Sequence, residues 1–139
     1  MRPIYLGFLS IAVIACDDST DTPPSPPAAG EIVTVEPGGD TICSRGTPYR
    51  FFAIGGDTKR IVLDFQGGGA CWNALTCSVE DAIFAAAAPS TEQFENLRTA
   101  PDLGGIYKDD DANPLDGWSL VHIPYCTGDV HWGRATKVY

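Results

Sequence analysis

The sequence predicts an α/β fold that starts with antiparallel strands and continues as strand, glycine loop, helix and strand. Three observations predict it: short β-branched and aromatic runs between turns, one such run leading into three glycines, and helical segments before a last apolar run. The 139 residues are enough for one domain. An apolar fraction of 44% is ordinary for a globular protein and excludes disorder of the whole chain.

Three strands open the predicted domain. The β-branched run 32–35 ends at a Pro-Gly-Gly turn, which is typical of a strand followed by a loop. Residues 49–54 (YRFFAI) form the second predicted strand, and residues 60–65 (RIVLDF) form the third. Because a short connection containing Gly55-Gly56 separates them, these two strands are predicted to form a hairpin.

Two helices and a last strand complete the predicted order. Ser78 is a candidate N-cap for a helix over 79–88, since two acidic residues follow it in the first turn and a proline ends the run. A second helical segment is predicted over 91–98, with its apolar side chains on one face. Residues 119–123 (SLVHI) are predicted to form a buried strand.

An N-terminal targeting segment is predicted over residues 1–15. Arg2 followed by the apolar run 4–14 is typical of a signal peptide, and the run is shorter than the about 20 apolar residues of a membrane-spanning helix. Its end, Val13-Ile14-Ala15-Cys16, resembles the bacterial lipobox, in which Cys16 receives lipid. This predicts an exported lipoprotein of the bacterial cell envelope, held on a membrane through Cys16. The alternative is an ordinary signal peptide and a secreted protein with a cysteine thiol at this position.

A lipid-anchor cysteine and a tether are predicted over residues 16–30, before a domain over 31–139. Residues 17–30 contain four Pro and three Asp but no large apolar side chain, so they cannot bury enough surface to fold. The paired prolines favour an extended spacer.

Charge and cysteine content narrow the possible partners. Nine Lys and Arg against 18 Asp and Glu give a net charge of −9, without a basic cluster, which argues against nucleic-acid binding.

Five cysteines leave four once Cys16 is assigned to lipid, and four can close two disulfides in an oxidising compartment. No metal or cofactor is predicted, because the cysteines lack zinc-site spacing and the acidic run 109–111 departs from a calcium loop.

The most informative motif is QGGGACWN, which follows a predicted strand directly. Consecutive glycines let backbone N–H groups point into a common space, where they bind phosphate or an oxyanion. The phosphate alternative is weak, because neither the P-loop nor the dinucleotide-binding glycine pattern is present. The oxyanion alternative fits α/β-hydrolases, whose loop after the third strand supplies one donor. A tight turn without a ligand explains the glycines equally well.

Two segments together carry a family resemblance. FQGGGACWNALTC, which includes residues 66–77, and VHIPYCTGDVHWG, at 121–133, closely resemble the pectin acetylesterase family, which includes the animal Notum carboxylesterases. The resemblance covers essentially all of 31–139. It implies an α/β-hydrolase-like sheet, of which this chain is the N-terminal part. It also implies carboxylic-ester hydrolysis, typically the removal of O-acetyl groups from pectin, with an acetylated polysaccharide as substrate and no cofactor.

The resemblance also assigns individual residues. It implies that the backbone N–H groups of Gly68 and Gly69 form part of the oxyanion hole, and that disulfides join Cys71 to Cys77 and Cys43 to Cys126. Family members carry the nucleophile in a Gly-x-Ser-x-Gly elbow, with Asp and His later in the chain. None of the seven serines of this chain lies in such an elbow. We therefore expect the catalytic nucleophile, acid and base to lie outside residues 1–139, and the chain alone to be inactive.

Four further side chains are candidates for substrate binding. The loop after the last strand carries Asp129, His131 and Trp132 at the sheet edge where ligand crevices lie, and Trp132 would stack on a sugar ring. Trp72 either lines the rim of the cleft or packs on a disulfide. A solvated loop with one anchoring tryptophan is the alternative. The competing function is a non-catalytic, carbohydrate-binding surface lipoprotein that uses the two tryptophans.

Overall fold

The computed structural model describes residues 25–79, 83–100, 105–108 and 110–133. Within these ranges, one four-stranded sheet carries two α-helices and a short 3-10 helix. The strands are β1 (Ile32–Val35), β2 (Phe51–Ile54), β3 (Asp57–Phe65) and β4 (Trp118–Ile123), the helices are α1 (Ala74–Ser78) and α2 (Thr91–Thr99), and the 3-10 helix is Gly105–Tyr107.

The sheet is mixed, with the strand order β1-β2-β4-β3. β1 pairs with β2 antiparallel, and Ile32 lies opposite Ile54. β2 pairs antiparallel with β4, whereas β3 and β4 are parallel and are joined by a crossover that contains the helices. Parallel neighbours require such a crossover. The prediction of an α/β order with an antiparallel start is confirmed at this level.

The predicted hairpin between the second and third strands is wrong, because β4 lies between them. The connection at Gly55 and Gly56 instead packs closely against the backbone of other segments of the chain. A Cβ on Gly56 would overlap the backbone of Trp118, at the start of β4. β4 contributes two of the three buried side chains of the strands, Leu120 and His122, and its inner position keeps them from water.

The core lies on one face of the sheet, under α2. Phe94 of α2 is fully buried and stacks on Phe52, with ring centroids 4.4 Å apart, and on His122, at 4.9 Å. Ser90 begins the helix, since its hydroxyl accepts the N–H of Gln93 while the Gln93 side chain accepts the N–H of Ser90. The predicted helix over 91–98 is confirmed, and Phe94 is the side chain that packs it onto the sheet.

The opposite face of the sheet is mainly apolar, half-buried on β1, β2 and β4 and exposed on β3 among the described residues. On β3, Ile61, Leu63 and Phe65 are 58%, 56% and 54% exposed. By the strand register, the same face carries six further apolar residues: Val33, Val35, Phe51, Ala53, Val121 and Ile123. β3 is also an edge strand. Parallel strands in α/β proteins normally have both faces covered, so this half of the sheet is available for another layer.

The helix predicted over 79–88, with Ser78 as its N-cap, is wrong in the described part of that range. Ser78 is instead the last residue of α1, and Val79 is extended. Residues 83–88 are not helical, and residues 80–82 lie outside the described ranges. Phe84 and Ala86 are buried, so this segment is held by packing contacts that outweigh the helix propensity of its alanines.

The predicted tether ends earlier than its sequence indicates. Gly30 donates a backbone hydrogen bond to the carbonyl of Gly55 at 2.9 Å, and Ala29 bridges to the same residue. A Cβ on Gly55 would overlap the Ala28 carbonyl oxygen, so a glycine permits this approach. The predicted signal peptide and Cys16 lie outside the described residues. In the part of the chain that the structure describes, no helix is long and apolar enough to cross a membrane.

We expect Leu63→Lys to reduce self-association of the purified chain. An exposed apolar edge strand is a template for pairing with another copy, and a lysine on that strand disfavours such pairing. Static light scattering at equal concentration should give a lower average mass for the variant. Thr47→Lys, which adds the same charge at an exposed position outside the sheet, is the control. An equal reduction by both variants would contradict the assignment of self-association to β3.

Candidate functional site

The glycine loop, residues 67–69, leaves the sheet at the end of β3. Gly68 and Gly69 have φ angles of 141° and 59°, which residues with a side chain rarely adopt. A Cβ on Gly69 would also overlap the carbonyl oxygen of Ile83. A Cβ on Gly67 or Gly68 would meet no atom within 4 Å, so the loop packs on one side and is open on the other.

Gln66 joins β3 to the glycine loop and is held by three hydrogen bonds. Its N–H donates to the carbonyl of Ile123 at 3.0 Å, which extends the parallel pairing with β4. Its side-chain Oε1 accepts the N–H of Tyr125 at 3.0 Å. Its carbonyl oxygen lies 3.0 Å from Nε2 of His131 and accepts the ring proton. The loops that follow β3 and β4 are therefore fixed to each other where the two strands end.

A cavity of about 240 Å³ opens beside the glycine loop. It is lined by the loop, by Gln66 and Tyr125, and by residues 83–85. The backbone N–H groups of residues 67–69 have no hydrogen-bond partner among the described residues. Such N–H groups can donate to an anionic oxygen that enters the cavity.

The Cys71–Cys77 disulfide closes a short loop directly after the glycines. This loop contains α1, whose N-cap Asn73 accepts the N–H of Thr76 at 2.9 Å. The N–H of Cys71 donates to the carbonyl of Gly128 at 2.9 Å. A covalent bond and a hydrogen bond therefore restrain the chain just beyond the glycine loop.

The second disulfide joins Cys43 to Cys126, directly after β4. Both half-cystines are 1% exposed, and the N–H of Ser44 donates to the carbonyl of Cys126 at 3.0 Å. This disulfide ties the segment before β2 to the loop after β4. Both cysteine pairings implied by the family resemblance are confirmed.

The loop after β4 folds around the carboxylate of Asp129. This carboxylate accepts hydrogen bonds from the hydroxyl of Thr127 and, at 3.2 Å, from the N–H of His131. Val130 and His131 have φ angles of 57° and 58°, where a side chain costs free energy. The N–H of Val130 donates to the hydroxyl of Tyr125 at 2.8 Å. Hydrogen bonds on both sides hold this strained turn beside the cavity.

The predicted site residues have different positions relative to the cavity. Gly68 and Gly69 line it. Asp129 and His131 do not belong to its described lining. The Asp129 carboxylate accepts the N–H of His131 within its own turn, and the His131 ring donates to the Gln66 carbonyl. The ring of His131 also contacts Phe65 edge-on, with centroids 5.5 Å apart. These two side chains support the site and do not form its wall.

The two candidate tryptophans are strongly exposed. Trp72 is 75% exposed and Trp132 is 88% exposed, and both lie outside the described lining of the cavity. Trp72 is next to Cys71, which contacts the loop of Trp132 through Gly128. Exposed aromatic rings near the mouth of a cavity can stack on a flat ligand such as a sugar ring.

A buried polar cluster on the covered face was not identified from the sequence, which predicts only a buried strand over 119–123. His122 is 2% exposed, and its Nδ1 lies 2.7 Å from Asp64 and 2.6 Å from the Tyr107 hydroxyl. Tyr107 also donates to Asp64. Burial, together with the Asp64 carboxylate, raises the pKa of Tyr107 far above its ordinary value, which keeps the hydroxyl a donor. The alternation of β3 places Asp64 on this face and is the signal that could have found it.

No group of three or more metal-ligating side chains is present in the described ranges. The described part of the acidic segment forms a turn of its own. The Asn113 amide donates to the carbonyls of Ile106 and Lys108, at 3.0 and 2.7 Å. Asp110 accepts a backbone N–H within the same turn, and Asp109 lies outside the described residues.

No protein-family model matches the chain, and no curated protein matches it either. The features that bear on function are the glycine loop, whose N–H groups lack a partner among the described residues, and the cavity beside it. The motif resemblance then supplies a chemistry to test against that geometry.

We expect Gly69→Ala to lower the free energy of unfolding by roughly 3 kcal/mol, because it adds both a steric overlap with Ile83 and an unfavourable φ. Gly67→Ala is the matched control, since its Cβ would lie in open space. The control should change stability by less than about 1 kcal/mol. Urea denaturation measures both values, and equal losses would contradict the packing described for the loop.

We expect loss of either disulfide to destabilise the chain, and the loss of stability to be larger for the disulfide that closes the longer loop. The bonded cysteines are separated by 6 residues for Cys71–Cys77 and by 83 for Cys43–Cys126. Loop-closure entropy predicts losses of about 2 and about 4.5 kcal/mol for the two double Cys→Ser variants. Denaturant unfolding measures the difference. Thiol counting on the denatured, non-reduced protein should detect none of these four thiols, and four free thiols would contradict both pairings.

Proposed function

We propose that this chain is the N-terminal part of a carboxylic-ester hydrolase of the pectin acetylesterase type. The reaction is the removal of O-acetyl groups from a pectin-like polysaccharide. Outside residues 1–139, a serine supplies the nucleophile, a histidine acts first as general base and then as general acid, and an aspartate orients the histidine. This chain contributes the backbone donors that stabilise the oxyanion.

The observation that carries the proposal is that the N–H groups of residues 67–69 have no partner among the described residues and lie beside a cavity at the end of β3. In α/β-hydrolases the loop between the third strand and the first helix supplies an oxyanion donor. The glycine loop follows β3 and precedes α1. The position of the donors in the chain therefore agrees with the chemistry that the motifs imply.

The surroundings of the donors suit a reaction in which negative charge develops. Attack on an ester carbonyl places a charge on its oxygen, and donors that are already oriented stabilise that charge most in a site of low dielectric. Phe84 and Ala85 contribute apolar lining to the cavity. Gln66 and the Cys71–Cys77 disulfide restrain both ends of the glycine loop. The donors are thus held before the reaction, as this form of catalysis requires.

The uncovered face of the sheet supports the proposal that further chain completes the domain. Nine apolar residues share that face, and β3 has one unpaired edge. The glycine loop lies at the carboxyl end of this edge strand. A parallel strand added there would place its own carboxyl end, and the loop that follows it, next to the glycine N–H groups.

We also propose export and attachment to a membrane through lipid at Cys16. The lipobox-like ending at residues 13–16 supports this location. The two disulfides support it as well, since such bonds persist in oxidising compartments outside the cytosol.

The second candidate function is carbohydrate binding without catalysis. The exposed rings of Trp72 and Trp132 favour it, because exposed tryptophans near a cavity can bind sugars without any reacting group. A longer product of the gene that binds acetylated polysaccharide but hydrolyses no ester would support this function over the hydrolase.

We expect purified 1–139 to release no acetate from an aryl acetate or from acetylated pectin. A longer product of the same gene, with Ser in Gly-x-Ser-x-Gly and a later Asp and His, should release it. In that product Gly68→Ala should lower kcat about 100-fold, because it disturbs an oxyanion donor, whereas Gly67→Ala should have a small effect. Acetate release by 1–139 itself, or an inactive longer product that contains the motif, would contradict the proposal.

A further inference from the structure

A second cavity, of about 350 Å³, lies toward the end of the parallel strands opposite to the glycine loop. It is lined by Trp118 at the start of β4, whereas the glycine loop lies by the end of β4, about 17 Å further along the strand. Three aliphatic side chains from neighbouring strands, Ile54, Val62 and Leu120, form an apolar floor. The volume falls in the range of about 300–1,000 Å³ that is typical of small-molecule sites.

Arg98, in the last turn of α2, lines this cavity. Its Nε atom is buried and has no hydrogen-bond partner among the described residues. Arg50 and Arg60 form ion pairs with Glu36 and Asp57, at 3.0 and 2.7 Å, but Arg98 has no such pair in the described ranges. A partly buried guanidinium without an anionic partner is unfavourable, so the site is poised to accept an anion.

The other polar groups of the cavity restrict what that anion can be. The Tyr107 hydroxyl is occupied by Asp64 and His122, and the Asn113 amide donates to backbone carbonyls. Lys108 and Asp116 add one cation and one carboxylate to the lining. A ligand with a single carboxylate therefore balances the site better than a polyanion would.

We propose that this cavity binds a small organic monocarboxylate with an apolar body, such as an aryl or branched aliphatic acid. The planar guanidinium of Arg98 suits two parallel hydrogen bonds to a carboxylate. The apolar body of the ligand then lies on the floor formed by Ile54, Val62 and Leu120. This site is independent of the proposed esterase chemistry, because it lies at the other end of the strands.

Calorimetric titration of the full chain with phenylacetate tests the proposal. Phenylacetamide, which has the same body without the charge, and acetate, which has the charge without the body, are the ligand controls. We expect saturable binding of phenylacetate and at least about tenfold weaker binding of either control. A tenfold change is the loss expected when one charge-assisted interaction or one buried apolar group is removed.

Arg98→Gln and Arg50→Gln form the matched pair of protein variants. We expect Arg98→Gln to weaken phenylacetate binding at least about tenfold, and Arg50→Gln, which removes the same charge elsewhere, to change it less than about twofold. Circular dichroism checks that both variants fold. The proposal is overturned by absence of phenylacetate binding to the unmodified chain, by equal affinity for phenylacetamide, or by equal losses in the two variants. The two ligand comparisons remain decisive even when Arg98→Gln does not fold.

Discussion

The close approach of Gly69 to the carbonyl of Ile83 is the contact on which the rest of the site depends. It holds the glycine loop against residues 83–85, and these residues supply the wall of the cavity. This contact fills one side of the loop, and the cavity lies beside the loop. Gln66 and Cys71 fix the two ends of the loop, so the donors keep their orientation without any ligand.

The sheet divides its apolar residues unequally between its faces, and this asymmetry links the fold to the proposed function. The face under α2 is filled by rings and by a hydrogen-bonded His122, whereas the other face is mainly apolar and is most exposed along β3. A protein of this size gains much of its stability from burial, so such a face is a surface that another layer would cover.

The sequence predicts local structure here better than long-range pairing. The four strands follow from β-branched and aromatic runs, and α2 follows from the apolar face predicted for 91–98. The predicted hairpin was wrong because a short glycine connection allows β3 to pair with β2 or to lie one strand away. The buried side chains of β4 favour its place between β2 and β3. The helix over 79–88 was wrong because tertiary contacts of Phe84 outweigh local propensity. The disulfides came from the family resemblance, and the link between Asp64 and Tyr107 spans 43 residues without a local signal.

The hydrogen bond between His131 and Gln66 also limits which residue can act as a base at this site. A carbonyl oxygen can only accept, so Nε2 of His131 carries the proton that it donates to Gln66. Nδ1 of the ring remains an acceptor, but His131 does not belong to the described lining of the cavity, so the structure does not place it as a base there. His122 is excluded for a different reason, since it is buried and bound to Asp64 on the covered face. Neither of the two histidines is therefore placed by the structure to act as a base beside the glycine N–H groups.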